Sequence, residues 1–213
     1  MKDNLKSRRA LGSSRLSKDA IAARLARAPV SPGRDDTHVI VLPEGARVTL
    51  AAVLIPLVPR GDEINVLLTQ RTAHLKDHPS QISFPGGRVE GGDQDRIETA
   101  LREAEEEIGL NRAGIAILGS LPDYDMPSGF RISPVVGWVE PPFALTLDPF
   151  EVDSAFEVPL SFLLDPANHQ RRRYGLNGRE RDYLAMPYEG RYIWGATAGM
   201  LQRLSQQLAE HPA

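Results

Sequence analysis

Residues 84–110 read FPGGRVEGGDQDRIETALREAEEEIGL, and the rest of the chain is read outward from this stretch. It begins as a glycine-rich turn and takes on helical periodicity from about Asp95. The Asp95 carboxylate can cap the first turn, and Glu98, at the third helical position, can reach back in the manner of a capping box. Gly109, free to turn left-handed, supplies the stop. Ile97, Leu101, Ala104 and Ile108 recur at i, i+4, i+7 and i+11, an apolar stripe for a core. At about 100° per residue, Glu103, Glu106 and Glu107 share one quadrant opposite or beside that stripe, while Glu105 points away.

Three carboxylates on one helical face repel one another by a few tenths of a kcal/mol per pair, and in the last turn they also oppose the helix dipole. One reading is a plain solvated acidic face. The other follows from the glycine turn, which can expose backbone groups beside the carboxylates. Clustered oxygen ligands suit Mg²⁺ or Mn²⁺, hard cations held by a few carboxylates together with water and substrate phosphates. That reading is a divalent-cation site for phosphate chemistry.

On the N-terminal side, Val48–Val58 (VTLAAVLIPLV) is the longest apolar run and far shorter than the roughly 20 residues of a membrane span, so it reads as a buried strand. PRGDE is a turn and Ile64–Thr69 a second strand, which makes a hairpin. Ser17 can cap a short helix from Lys18 to about Ala28, with Ile21 and Leu25 on one face and Pro29 as its stop. On the C-terminal side, strands are expected at Ile115–Ser120, Ile132–Val139 and Val152–Val158, and a short helix at Pro159–Leu164. A hairpin of Arg171–Tyr174 with Tyr183–Met186 follows, then a final amphipathic helix through Thr197, Leu201, Leu204 and Leu208. Trp194 and Phe130 are expected in the core. This pattern is generic α/β or α+β, with no repeat.

The 213 residues carry a formal net charge of −3, too little to attract nucleic acid or an anionic membrane by bulk charge. There is no Cys, which removes disulfides, thiolate metal sites and thiol nucleophiles and fits a cytoplasmic protein. The small net charge hides a segregation. Residues 1–34 hold nine basic and two acidic residues, +7, and the remainder carries −10; residues 87–109 alone account for −5. Residues 1–34 are read as a basic tail with a short helix, and 35–213 as the domain. His74 and His78 stand four apart, but Pro79 follows and no acid completes a zinc set. Phosphate-loop, dinucleotide, serine-elbow and zincin motifs are lacking.

The run Gly87, Asp93, then Arg102-Glu103-Ala104-Glu105-Glu106-Glu107-Ile108-Gly109-Leu110 resembles the Nudix box, G-x5-E-x7-R-E-U-x-E-E-x-G-U with U apolar. The second half matches at every fixed position; in the first, Asp93 replaces Glu and one extra residue precedes Arg102. The stretch Leu67-Leu68-Thr69-Gln70-Arg71 … His78-Pro79-Ser80-Gln81-Ile82-Ser83-Phe84-Pro85-Gly86-Gly87 is similar to the motif of the coenzyme A pyrophosphatase branch, where the longer spacing and an Asp are common. Ser128-Gly129-Phe130, Pro134-Val135-Val136-Gly137, Glu157-Val158-Pro159-Leu160 and Ile193-Trp194-Gly195-Ala196-Thr197-Ala198 also look like that branch.

The resemblance implies an α/β/α sandwich with a mixed sheet between helices, and Mg²⁺- or Mn²⁺-dependent cleavage of coenzyme A to 4′-phosphopantetheine and adenosine 3′,5′-bisphosphate. It implies Glu103 and Glu107 as metal ligands with Glu106 sharing the site, and the general base as one of these or a carboxylate from another loop. Arg102 pairs with a helix carboxylate; Gly86 and Gly87 approach the metal; Arg71 and Gln81 contact substrate. The run Arg171–Arg173, with Arg179 and Arg181, is a solvated strand or meets the 3′-phosphate of coenzyme A. A homodimer is suggested by the same resemblance. Another nucleoside diphosphate derivative such as ADP-ribose, and a nucleotide-sensing module without turnover, are the alternatives.

Overall fold

The computed structural model describes residues 16–28, 48–176 and 179–209, with the backbone alone at 174–176 and 179–181. Its centre is β1 (Thr49–Arg60), a β-branched, apolar strand buried along most of its length. A turn at Gly61–Asp62 returns it as β2 (Glu63–Arg71), and the two pair antiparallel from Leu57↔Val66 to Arg60↔Glu63. Beyond that point the hairpin splays. The gap is filled by β3 (Ile82–Ser83), which pairs with Thr69 and Gln70 of β2, and β4 (Gly86–Arg88), which pairs with Ala51–Val53 of β1. The glycine-rich segment is thereby wedged between the strands of the hairpin, fastened by a 2.9 Å bond from Leu54 N–H to the Pro85 carbonyl.

α2 (Arg96–Ile108) follows, capped at Asp95, whose carboxylate accepts from Glu98 N–H at 2.8 Å, and ended by Gly109 at φ 67°. Glu98 reaches back one residue further than a standard capping box, accepting from Gln94 N–H at 2.8 Å. Next come β5 (Ile115–Ser120), β6 (Tyr124–Asp125) and β7 (Phe130–Val139); β7 pairs parallel with β1 over Thr49–Leu57, and the crossover that parallel pairing requires contains α2. β8 (Val152–Pro159) covers the other edge of β2. The sheet is mixed, as expected. α3 (Leu160–Leu164) leads to a three-stranded sheet of β9 (Gln170–Leu176), β10 (Arg179–Tyr188) and β11 (Arg191–Trp194), and α4 (Gly195–Leu208) closes the chain.

Two apolar layers flank the large sheet. Ala100, Ala104 and Ile108 of α2 pack on Ala52, Leu54, Leu67 and Val135 on one face. On the other, Ile55, Leu57, Leu68 and Val136 meet α3, α4 and α1 (Lys18–Leu25). α1 is capped by Ser17 and ends at Leu25, a turn before Pro29. Ile21 is fully buried, the Gln207 side chain donates to the Arg24 carbonyl at 2.9 Å, and Arg24 donates to the Leu208 carbonyl. α1, read as part of the tail, thus packs against the sheet and α4. Residues 1–15 and 29–47 of the basic tail and linker lie outside the described residues.

Other expectations shift locally. The short strands β3, β4, β6 and β11 lack a run long enough to read, and the turn expected at GLNGR falls on residues 177–178, outside the described residues. Trp194 and Phe130 are only partly buried: Trp194 meets Tyr183 edge-on at 5.6 Å, and Phe130 lies under the Arg88 guanidinium. Among the described residues no helix is long and apolar enough to cross a membrane.

Candidate active site

α2 brings its carboxylates against the wedge of Phe84–Arg88. Glu107, only 5% exposed, turns under the sheet, where its Oε2 accepts from Gly86 N–H at 3.1 Å and its Oε1 stands 3.7 Å from Arg71 Nη1. Burial pushes its carboxyl up to about 8, against the opposing pull of the Gly86 N–H and Arg71; the Glu103 and Glu151 charges push the same way as burial. Glu103, half-buried one turn earlier, is also raised, chiefly by burial, with Arg102 opposing. Glu106 projects outward with its side chain 59% exposed.

Arg102 organises this face. Its Nε and Nη2 bind the two oxygens of Asp93 at 2.9 and 3.1 Å, and Nη1 reaches Glu103 at 3.0 Å and Glu106 at 2.8 Å. Nη2 also donates to the Arg88 carbonyl at 3.0 Å. Asp93 in turn accepts from Glu90 N–H and Thr99 Oγ1; the Arg102 bonds first, then these, hold its carboxyl well below the usual range. The expected pairing of Arg102 with helix carboxylates is present, and the stronger fork goes to Asp93. Asp93, whose part the box spacing left open, clamps the lead-in loop to the helix.

The glycines are required by contact. A Cβ on Gly86 would run into the Ala52 carbonyl and Val53, and one on Gly87 would lie 2.5 Å from the Glu103 carboxylate. Arg71 is brought to Glu107. Gln81 joins the same strand end through its backbone, its carbonyl accepting from Arg71 N–H at 2.9 Å. His74 does not pair with His78; its ring meets Phe150 edge-on at 4.8 Å.

Glu151 was not legible in the sequence, being one of three acids, with Asp148 and Asp153, in a turn with no periodic signal. Its turn is tied to α2 by Asp148 N–H donating to the Glu107 carbonyl at 2.9 Å, and to the end of β2 by Thr72 N–H donating to the Glu151 carbonyl at 3.0 Å. Its charge acts on both Glu103 and Glu107.

The donor set fits a hard divalent cation: two carboxylates whose charged form burial disfavours, beside a glycine strand that leaves room at position 87 only for the Glu103 carboxylate. Among the described residues no three acidic or histidine side chains are gathered at ligand distance as they stand. Arg102 draws Glu103 and Glu106 toward itself, so joint ligation by Glu103, Glu106 and Glu107 requires side-chain rotation.

The NUDIX domain model matches residues 48–174. The chain is 42% identical over 161 residues to the Nudix hydrolase NudL of Yersinia enterocolitica, itself uncharacterized, covering 74% of this chain and 80% of that protein. It is 39% identical over 163 residues to the uncharacterized NudL of Escherichia coli K12, covering 76% and 84%. In fold it resembles DR0079 from Deinococcus radiodurans, with a TM-score of 0.50 at 13% identity, covering 78% of this chain and 90% of that one. Matched from β1 into β9, with the box arginine, glutamates and glycines meeting at one site, the chain belongs to the Nudix family of hydrolases, which act on phosphorus-containing anhydrides with the help of divalent metal ions.

Proposed function

We propose that the substrate is coenzyme A or a derivative, cut to 4′-phosphopantetheine and adenosine 3′,5′-bisphosphate. The observation that carries this reading is that the segment resembling the coenzyme A branch, Leu67–Gly87, touches the catalytic face at both its ends: Arg71 faces Glu107 at 3.7 Å, and Gly86 N–H donates to the same carboxylate. A signature so placed recognises the substrate at the bond being cut.

Glu103 and Glu107 would hold Mg²⁺ or Mn²⁺, with Glu106 swinging in from the rim. When bound, the metal would neutralise the pyrophosphate oxygens and make a water more acidic. Arg71 adds a fixed positive charge beside the phosphates. Asp93 and Arg102 keep α2 pressed on the glycine strand so that the carboxylates stay aimed. Glu151, outside the helix and in the same field, takes the proton of the attacking water.

The test is product identification by mass spectrometry with coenzyme A and Mg²⁺ in ¹⁸O water, beside ADP-ribose and a dinucleotide. Label in 4′-phosphopantetheine or in adenosine 3′,5′-bisphosphate supports the proposal and names the phosphorus attacked. Intact coenzyme A with turnover of ADP-ribose replaces it, and no turnover of any of them favours a sensing module.

A further inference from the structure

Arg191 opens β11 just after the Glu189–Gly190 turn and is partly buried. Its guanidinium carbon stacks 3.7 Å from the centre of the Phe156 ring. Nη1 donates to the Gln70 side-chain oxygen at 3.0 Å and toward the Ser154 hydroxyl at 3.5 Å. All three partners are neutral, and among the described residues no carboxylate lies within ion-pairing distance of it, whereas Arg60, Arg102, Arg112, Arg131 and Arg173 each face one. Nε and Nη2 of this partly buried guanidinium remain available for the fork that suits carboxylate or phosphate oxygens. The Phe156 stack fixes its plane and Gln70 its rotation, so little side-chain freedom is left to lose on binding an anion.

Its position is across β2 from the α2 carboxylates: Leu67 packs on the α2 side of the sheet and Leu68 on the other, the side that also holds Phe156. Gln70 immediately precedes Arg71, and the pairing of β2 with β8 changes register between these two residues. The residue left unpaired there is Asp153 of β8, so β2 keeps its alternation and its successive side chains leave opposite faces. Arg71 turns to Glu107 while Gln70 meets Arg191, so the two guanidinium groups flank one strand end from opposite faces, and a substrate that reaches both passes around that end.

We infer that Arg191 binds a phosphate monoester of the substrate that is not part of the scissile anhydride. On the coenzyme A reading, on which this rests, that group is the 3′-phosphate. The run Arg171–Arg173 is the weaker receptor: Arg173 is paired with Asp182 at 2.9 Å, and Arg172 is exposed and bonded to Gln170 at 2.6 Å. The side chains of Arg179 and Arg181 lie outside the described residues.

The experiment is calorimetric titration of the full chain, with Mg²⁺ present, by adenosine 3′,5′-bisphosphate and by adenosine 5′-monophosphate. Wild type binds the bisphosphate about tenfold tighter or better, Arg191→Gln brings the two within about twofold, and Arg191→Lys keeps part of the difference. Equal binding of the two ligands by wild type, or an unchanged ratio in Arg191→Gln, overturns the inference. Should Arg191→Gln fail to fold, Gln70→Ala and Ser154→Ala release the guanidinium without removing it, and an unchanged ratio in both is equally decisive against it. Discrimination by a chain that leaves coenzyme A intact refutes the substrate reading and spares this site; turnover without discrimination does the reverse.

Discussion

Gly87 and Glu103 meet so closely that a Cβ on Gly87 would lie 2.5 Å from the Glu103 carboxylate. The glycine strand and α2 touch there only because position 87 has no side chain. Gly87→Ala should displace that carboxylate by about an ångström and lower kcat by about 10²-fold with the fold retained, as small misplacements do in preorganised sites. Steady-state kinetics with a melting curve checks this; an unchanged kcat would show that Glu103 is not aimed by this contact.

Glu107→Gln should abolish turnover and leave the fold intact; undiminished hydrolysis would remove Glu107 from the metal site. Stability carries a second signal. In the metal-free protein the Glu107 carboxyl is raised from the ordinary 4.5 to about 8, so the folded state holds a proton that the unfolded chain has released. The associated stability is complete below about pH 4.5 and is lost as pH rises through 8, an effect of order a few kcal/mol. Wild type without metal should therefore weaken across that range and Glu107→Gln much less, in urea titrations at a series of pH values. Mg²⁺ or Mn²⁺ should raise the melting temperature more at pH 9 than at pH 6, because at the lower pH it competes with that proton.

Asp93→Asn should lower both melting temperature and metal affinity. It removes the negative charge that takes two donors of Arg102, and Arg102 then pulls harder on Glu103 and Glu106. Calorimetric metal titration together with thermal denaturation reads both, and a change in neither would make the clamp ornamental.

Ile21→Ala should destabilise the protein by about 2–4 kcal/mol, the range for emptying a fully buried aliphatic site. Chemical denaturation measures it. A cost under about 0.5 kcal/mol, the level of a surface change, would return α1 to the tail.

Ser80 has φ 58° and His78 φ 56°, both left-handed, on either side of Pro79 in the loop between β2 and β3. Glycine adopts that geometry without strain, and Ser80→Gly should gain several tenths of a kcal/mol after its extra unfolded-state freedom is deducted. A lower melting temperature for the variant would mean that the serine side chain contributes more than its backbone costs.

α2 was legible nearly to the residue, because capping at Asp95, the stop at Gly109 and the apolar stripe are local signals within one helix. The carboxylate face was legible for the same reason, though periodicity alone did not separate buried Glu107 from exposed Glu106: the separation comes from the wedge of β3 and β4 that covers one and misses the other. Arg191 and Glu151 carried no readable pattern, since their meaning lies in which strand ends they meet.

By itself, then, the sequence determined the helix, its carboxylate face and the absence of thiol chemistry, all properties of residue identity and short-range spacing. The tertiary structure decided what faces those carboxylates: the splayed hairpin that admits Ile82–Arg88, the approach of Arg71 and Glu151 to Glu107, and the burial of Ile21 beneath α4. These depend on pairing between segments tens of residues apart, chosen by how the whole sheet buries both its faces, and no local periodicity encodes that choice.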